Sequence, residues 1–379
     1  MHFPPVTLVE LTVEPLSVRT VDPFRIATGV VDTTRSVLVE VTLTRGTVRA
    51  VGLGEGACLP PVTAEDQPEA LAAVERAIPM LKNIAFADDR TLLLALDRTL
   101  GTTPVARSAV EVAILSALAT LEGLPLWRWL AEDPKAAAPV IESDITIPIL
   151  EPSRMAELAA QWWAMGFRKF KLKVGHDLAK DLASLDAIRA VAPKATFQPD
   201  ANAGLRVDEA LAYHAAAKQH GLRVTCFEQP CATLAELRQV KDALAIPVLA
   251  DESVKTMADF DALVAADAAS GINLKIGKTG SLLRCLALGR AAQQRGMPLM
   301  VGGMVETHLG MTTAAHLCAA LGGVAFPDLD TAWLLADNPF SGGYVATRQG
   351  DAGPGPFYAL PEAPGLAITR SRASGVGGP

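Results

Sequence analysis

The sequence has few cysteines and no arrangement of them that would hold a fold together. There are five, an odd number, and no CxxC pair occurs among them. A disulfide framework is therefore excluded, and a reducing compartment is indicated. The six histidines show neither HExxH nor another paired spacing typical of zinc ligands, so a zinc site is excluded as well.

The chain also lacks long uncharged runs, an excess of basic residues and a secretory leader. No run of about 18 apolar residues is free of charge, which excludes a membrane span. The first residues, "MHFPPVTLVELTVEP", have no basic segment followed by an apolar one, so we expect no signal peptide. The net charge is -7 with both signs scattered, which argues against nucleic acid as a partner. These absences predict a cytoplasmic protein.

The sequence divides into two parts that differ in their pattern of apolar and polar residues. A chain of 379 residues is too long for one ordinary core. Residues 6–19, 36–44 and 47–55 alternate apolar and polar side chains, and helical patterns follow near 65–83, 87–100 and 104–123. This predicts an α+β capping domain over 1–130. We expect a barrel over 131–344, and we expect the segment 345–379 to return to the first domain.

From Thr146 onward, short apolar runs alternate with helical patterns. The runs begin about 25 residues apart, which is the length of one βα unit, and eight such units make a TIM-like barrel. The eight runs are 146–150, 170–174, 195–200, 224–228, 247–251, 272–276, 299–303 and 324–328.

Lysines and carboxylates stand at the ends of these strands, on the face where barrel active sites lie. In "FKLKV", Lys171 and Lys173 share the face opposite the apolar one, so they point inward. The third, fourth and fifth strands end in Asp200, Glu228 and Asp251. Three carboxylates at one height repel each other unless a cation lies among them. Oxygen donors alone favour Mg²⁺, one per subunit.

Lys275 on the sixth strand lies across the barrel from Lys173. Two such amines suit the transfer of a proton to and from a carbon next to a carboxylate. One lysine removes the proton from one face, and the other returns a proton to the opposite face. A metal at the carboxylate would stabilise the enediolate that forms. The arrangement therefore predicts racemisation or epimerisation.

These residues resemble the enolase superfamily in its muconate-lactonizing subgroup, whose members use a Lys or His base with Mg²⁺. The resemblance covers nearly the whole chain and implies a (β/α)₇β barrel under a capping domain. It also implies Asp200, Glu228 and Asp251 as metal ligands, Lys173 and Lys275 as acid and base, and Lys171 as an assisting group. The motifs that carry it are "GLGEGACLPPVT" (52–63), "KLK" (171–173), "PDAN" (199–202), "FEQP" (227–230), "ADES" (250–253) and "NLKIGKTG" (273–280).

Within that subgroup, "PDLDT" (327–331) is similar to the DxD motif of dipeptide epimerases. Asp328 and Asp330 fall on one side of the last strand end and suit the free ammonium group of a dipeptide. The alternative is that Asp330 only caps the following helix. Arg25 in "FRIATG" either pairs with an acidic substrate side chain, as in Ala-Glu epimerases, or is part of the scaffold.

Three further residues are assigned from their neighbours in sequence. Asn202 and Glu252 lie beside predicted ligands and are expected either to support them or to be simple loop residues. Ser281 stands where many relatives have a second glycine after "KTG", which bears on the shape of that loop.

The predicted function is a Mg²⁺-dependent dipeptide epimerase that inverts the α-carbon of the C-terminal residue, using Lys173 and Lys275. Its partner is a small dipeptide, and a homo-oligomer stays open. Within the superfamily, an N-acylamino acid racemase, an o-succinylbenzoate synthase or a cycloisomerase is the alternative, but their substrates have no free ammonium for Asp328 and Asp330. A Schiff-base lyase would not need the three carboxylates. A non-catalytic binding protein would lack some of the five residues predicted as metal ligands or as acid and base.

Overall fold

The computed structural model describes residues 2–26, 29–135, 137–175, 177–348 and 353–371, with the side chains of Arg25 and Ile26 outside the described part. All structural statements below refer to these residues.

The N-terminal part is a mixed α+β unit. An antiparallel sheet of order β5-β4-β1-β6 is covered by helices, and β2 and β3 form a separate hairpin. The elements are β1 (His2–Leu16), β2 (Arg19–Ile26), β3 (Gly29–Thr33), β4 (Arg35–Arg45), β5 (Val48–Cys58), α1 (Gln67–Leu81), β6 (Ala85–Asp88), α2 (Asp89–Leu100), α3 (Pro104–Leu121) and α4 (Leu126–Leu130).

The glycines of "GLGEG" allow β5 to lie directly on α3. A Cβ atom on Gly52 would come within 2.0 Å of the Ala113 carbonyl oxygen, and one on Gly54 within 2.1 Å of the Ala109 carbonyl oxygen. Side chains of any size would therefore separate the sheet from the helix. The three predicted strands and three predicted helices of this part correspond to β1, β4, β5 and α1, α2, α3.

Three strands of the N-terminal part, β2, β3 and β6, were not predicted. The register between β2 and β3 shifts between Arg19 and Phe24, and Pro23 lies in this stretch. A proline within a short run favours a turn or an edge over a regular strand. β6 has only four residues, too few for alternation to stand out.

The second part is a parallel barrel with helices outside, which confirms the predicted fold class. Its strands follow the order β16-β15-β14-β13-β12-β10-β9-β8. The elements are β7 (Val140–Glu142), β8 (Ile145–Ile147), α5 (Pro152–Ala164), β9 (Lys169–Lys173), α6 (Leu178–Val191), β10 (Thr196–Asp200), α7 (Val207–Gln219), β11 (Arg223–Val224), β12 (Phe227–Glu228), α8 (Leu234–Ala243), β13 (Val248–Ala250), α9 (Met257–Ala265), β14 (Gly271–Lys275), α10 (Ile276–Thr279), α11 (Leu282–Gln293), β15 (Leu299–Gly302), α12 (His308–Leu321) and β16 (Phe326–Pro327).

The first and last barrel strands meet, because the Asp144 amide donates to the Pro327 carbonyl at 3.1 Å. Helices follow seven of the strands, and only a 3₁₀ helix (Thr331–Leu334) follows β16, which is the (β/α)₇β pattern. The run "VTCFE" was predicted as one strand, but it is divided into β11 and β12. The Thr225 amide between them donates to the Phe197 carbonyl, so this break is still tied to β10.

The barrel interior has an apolar floor below its polar end. Cys226, Leu249 and Met300 are fully buried together, with Phe326 packed against them. Each of the first two lies two residues before a predicted metal ligand, on the same side of its strand. The charged groups at the C-terminal ends of the barrel strands therefore lie directly above a buried apolar layer.

The chain ends in short strands that touch both parts. They are β17 (Phe340–Gly342), β18 (Val345–Thr347), β19 (Phe357–Ala359) and β20 (Ile368–Arg370). β19 pairs with β7, whereas the Leu126 amide of the N-terminal part donates to Gly365 at 2.8 Å. The division of the chain at residue 130 stays a prediction.

Helix α3 is the one helix in the described ranges that is long and apolar enough to cross a membrane by length and composition alone. Nearly all of its residues are buried against the sheet and the barrel. Helix α3 is therefore a core helix of this fold.

Buried polar contacts fix the N-terminal part to the barrel. Arg107 on α3 pairs with Glu111 at 2.6 Å and donates to the Gly280 carbonyl at 2.7 Å. Glu111 in turn accepts from the Ser281 hydroxyl at 2.8 Å. Ser281 also accepts from the Arg284 amide at the start of α11, so the residue that departs from "KTGG" caps a helix and joins the two parts.

We expect Arg107→Ala to lower the free energy of unfolding by about 3–5 kcal/mol, because it leaves Glu111 as an unpaired buried charge. Urea unfolding followed by circular dichroism measures this. Arg284→Ala is the matched control: Arg284 pairs with Asp97 at the surface, and such a pair contributes about 0–1 kcal/mol. Equal losses in the two variants would contradict a special role for the buried pair.

Candidate active site

The structure brings the three predicted metal ligands together at the C-terminal end of the barrel. Asp200 ends β10, Glu228 ends β12, and Asp251 follows β13 directly. Asp200 and Glu228 are register partners on neighbouring strands. All three carboxyl groups are fully buried, so their charges are compensated only by what lies inside the barrel.

The two predicted acid/base lysines reach this cluster from opposite sides. Lys173 Nζ lies 2.5 Å from Asp200 Oδ2, and Lys275 Nζ lies 2.6 Å from Asp251 Oδ2. Their strands, β9 and β14, flank the three strands that carry the carboxylates. A reacting carbon held above the carboxylates would therefore have one amine on each side.

Lys171 lies between two groups of acids. Its Nζ is 2.7 Å from Glu228 Oε2 and 3.4 Å from Asp200 Oδ2. The same nitrogen is 2.7 Å from Asp328 Oδ2. The lysine is almost fully buried, so it connects the predicted metal ligands to the predicted ammonium site. Lys169, the third lysine of the strand, instead pairs with Glu142 at 2.8 Å.

Burial and neighbouring charges shift the acids of the cluster in different directions. Burial, followed by the negative charge of Asp200, raises the pKa of Glu228 to about 7. Burial acts on Asp200 in the same sense, but Lys173 and Lys171 outweigh it and bring the pKa of Asp200 to about 2. Although burial acts to lower it, Asp251 holds the pKa of Lys275 above its ordinary value. At Glu228, the nearby amines therefore do not offset the combined effect of burial and the neighbouring carboxylates.

The chemistry of the donor set suits a hard divalent cation, and in this structure the amines of Lys171 and Lys275 lie against these carboxylates. Asp200, Glu228 and Asp251 offer only carboxylate oxygens, from three adjacent strands, and Mg²⁺ prefers such ligands. Burial and the charge of Asp200 disfavour the ionised form of Glu228 and raise its pKa, and a cation bound there would offset both effects.

Two residues that hold the ligands in place were not assigned from the sequence. Lys278 Nζ donates to Asp251 Oδ1 at 2.7 Å, to the Asp251 carbonyl at 2.6 Å and to the Asn273 carbonyl at 2.8 Å. Asn273 Nδ2 donates to Glu228 Oε1 at 2.7 Å. Lys278 follows Lys275 by three residues, one helical turn, and that spacing is the signal that could have found it.

Asn202 and Glu252 lie together beside the ligands. The Asn202 amide donates to Asp200 Oδ1 at 2.9 Å, and its side chain donates to Glu252 Oε1 at 3.1 Å. Asn202 adopts the left-handed region at φ 43°, a conformation that asparagine tolerates better than most residues. This turn carries the Asn202 amide back to the carboxylate two residues earlier.

A second acidic group lies next to the first and includes a residue that the sequence did not reveal. Oxygen atoms of Asp144, Asp328 and Asp330 lie within 4.8 Å of one another. Asp330 accepts from the Thr146 amide, whereas both carboxyl oxygens of Asp144 have no hydrogen-bond partner among the described residues. Asp144 is two residues before Thr146, so strand alternation is the signal that places it inside the barrel.

Burial and neighbouring carboxylates raise the pKa of two acids in this second group. Burial, followed by Asp328, raises the pKa of Asp330 to about 6. Burial, followed by Asp328 and Asp330, also raises the pKa of Asp144 well above its ordinary value. A cation next to this group would reduce the repulsion among its carboxylates.

A small cavity of about 30 Å³ lies between the three lysines and the second acidic group. Lys171, Lys173 and Lys275 line it, together with Asp328 and Asp330. The N-terminal part closes it from above with Phe24, Leu59 and Val62. The Arg25 side chain, also expected at this site, lies outside the described part of the chain.

We expect Asp144→Asn to raise the apparent melting temperature at pH 8, by about 2–4 °C for each kcal/mol of repulsion relieved. A carboxyl whose pKa is higher in the folded protein than its unfolded value of about 4 binds its proton more tightly in the folded state. The free energy of unfolding therefore falls as the pH rises above about 4. The gain should shrink towards pH 4. Thermal melts from pH 4 to 8 measure it, with exposed Asp261→Asn on α9 as control. If Asp144→Asn instead lowers the melting temperature, and lowers it more at pH 8 than at pH 4, the ionised Asp144 carboxylate stabilises the fold.

Two family models match the chain. Residues 9–130 match the N-terminal domain of mandelate racemase / muconate lactonizing enzyme, and residues 154–374 match the enolase C-terminal domain-like model. An L-Ala-D/L-amino acid epimerase from Populus trichocarpa is 35% identical over 364 residues, which cover 93% of this chain and 82% of the relative.

Solved structures give the same result. A substrate-liganded L-Ala-D/L-Glu epimerase from Bacillus subtilis has a TM-score of 0.88 at 30% identity, covering 96% of this chain and 99% of that one. A dipeptide epimerase from Cytophaga hutchinsonii, complexed with Mg and D-Ala-L-Val, has a TM-score of 0.86 at 26% identity, covering 99% and 97%. The chain therefore belongs to the mandelate racemase / muconate lactonizing enzyme family of the enolase superfamily.

Proposed function

We propose that the protein is a Mg²⁺-dependent dipeptide epimerase that inverts the α-carbon of the C-terminal residue. One observation carries the proposal: Lys173 and Lys275 flank three buried carboxylates from the strands between them. The relatives support the substrate class, because the similar proteins from Populus and Bacillus are epimerases of alanyl dipeptides. The complex of the Cytophaga relative with Mg and a dipeptide supports the metal.

In this proposal Asp200, Glu228 and Asp251 hold one Mg²⁺, and Lys278 and Asn273 fix two of these ligands. When bound, Mg²⁺ supplies positive charge beside the substrate carboxylate, which favours loss of the α-proton. Asn202 and Glu252 support Asp200 through the hydrogen bonds described above.

Lys173 and Lys275 move the proton. With one isomer, Lys173 accepts the α-proton on its side, and the Lys275 ammonium donates a proton to the opposite face of the same carbon. With the other isomer the two roles are reversed. Lys171 assists by keeping a positive charge between Glu228 and Asp328, within 2.7 Å of both.

Asp328 and Asp330 bind the free ammonium group of the N-terminal residue. That contact sets the distance between the ammonium and the reacting carbon. N-acylated amino acids, o-succinylbenzoate precursors and lactones have no such ammonium, so they would add no positive charge to this acidic group beyond that of Lys171. This disfavours the other reactions of the superfamily. A Schiff-base lyase gives no account of the three carboxylates.

The proposal extends to the setting of the enzyme. The five cysteines are all buried and free, which agrees with a reducing, cytoplasmic compartment. The substrate is a free small molecule, with no part for nucleic acid or a membrane. A homo-oligomer is compatible with this function and is not required by it.

We expect the purified protein in D₂O to place one deuteron on the α-carbon of a dipeptide's C-terminal residue while inverting it. EDTA should abolish the exchange, because the buried carboxylates would then lack the cation that stabilises the deprotonated substrate, and added Mg²⁺ should restore it. Mass spectrometry and chiral chromatography measure both events. Full turnover in the metal-free protein would contradict the proposal.

We expect Lys173→Ala and Lys275→Ala each to lower epimerisation by about 10²–10⁴-fold, the usual contribution of a positioned acid or base. Each variant should still exchange the α-proton of one isomer only, and the two variants should differ in which isomer that is. Lys169→Ala is the matched control on the same strand, since Lys169 pairs with Glu142 away from the cluster. Wild-type turnover in both active-site variants would disprove the two-base scheme.

A further inference from the structure

The cavity has an apolar roof above its charged end. Phe24 from β2 and Leu59 and Val62 from the loop after β5 face it from the N-terminal part. Met304 and Val305, in the loop after β15, continue this surface on the barrel side. Phe24, Met304 and Val305 are almost fully buried. A substrate side chain that points away from the predicted metal ligands and the ammonium site would meet this surface.

Charge around the cavity is unfavourable to an acidic side chain. Lys171, Lys173 and Lys275 are the cations among the described lining residues, and each is already within 2.7 Å of a carboxylate. Glu252 also lines the cavity. An additional carboxylate would thus approach acids and apolar groups, and a buried charge without a partner is disfavoured.

We propose that this enzyme acts on dipeptides with apolar side chains and discriminates against those with an acidic side chain. The inference rests on the proposed function and narrows its substrate. An apolar side chain removes water from Phe24, Leu59 and Val62 when it binds, which is favourable in proportion to the area covered. An acidic one must be dehydrated against the same surface with no described cation to receive it.

The test compares dipeptides that differ in charge but little in length. L-Ala-L-Met, L-Ala-L-Gln and L-Ala-L-Glu are assayed with the Mg²⁺-loaded enzyme by deuterium incorporation, and L-Leu-L-Ala is compared with L-Glu-L-Ala. We expect kcat/KM to fall in the order Met, Gln, Glu, with Met at least about tenfold above Glu. L-Leu-L-Ala should likewise exceed L-Glu-L-Ala.

Variants of the N-terminal part test whether its apolar residues cause the preference for apolar side chains. Leu59→Lys and Val62→Lys each add a cation to the roof and should lower the Met-to-Glu ratio of kcat/KM at least tenfold. Val21→Lys is the matched control, because Val21 lies on the same strand as Phe24 but is 62% exposed; its ratio should stay that of the wild type. Thermal melts establish that each variant is folded.

The outcomes separate this inference from the proposed function. Turnover of L-Ala-L-Glu equal to or above that of L-Ala-L-Met overturns the apolar preference and leaves the epimerase in place. If Arg25→Ala then removes the activity on L-Ala-L-Glu selectively, recognition of an acidic side chain by Arg25 is the correct account. Absence of turnover with every dipeptide overturns the proposed function and this inference together.

Discussion

The rest of the site depends on the burial of like charges. Asp200, Glu228 and Asp251 are removed from water at the ends of adjacent strands, and burial raises the free energy of each ionised carboxylate. The fold tolerates this only because amines from the flanking strands reach into the cluster. The same constraint explains why lysine occurs on the inner face of a strand. The apolar floor beneath excludes water and keeps these interactions strong.

Lys171 joins this cluster to the second acidic group. A single ammonium is within 2.7 Å of both Glu228 and Asp328, so neither group can change charge without affecting the other. A dipeptide brings an ammonium, which is opposite in charge to the second acidic group, and a carboxylate, which would need the positive charge of a bound Mg²⁺ at the first. Recognition and catalysis therefore draw on one set of charges, and a substrate that lacks either end leaves a buried charge unbalanced.

The sequence predicted the residues whose position follows from strand periodicity and left out those whose position follows from tertiary contact. Lys173 and Asp200 stand at the ends of clear apolar runs, so the barrel rule places them. Lys278 comes after its strand, and its role appears only when the short helix α10 turns its amine onto Asp251. Asp144 precedes a strand of three residues, too short for alternation to be convincing. The hairpin β2–β3 was missed because its register is irregular.

The division of labour between the two parts follows from how they are joined. Glu55 on β5 accepts from the Thr307 and Gly310 amides at the start of α12, where a helix N-terminus favours negative charge. Burial nevertheless raises the pKa of Glu55, because the ionised carboxylate is removed from water at this junction. The loop that precedes α12 carries Met304 and Val305. The junction that holds the N-terminal part in place therefore also positions the apolar residues above the lysines, whereas the lysines and the carboxylates belong to the barrel.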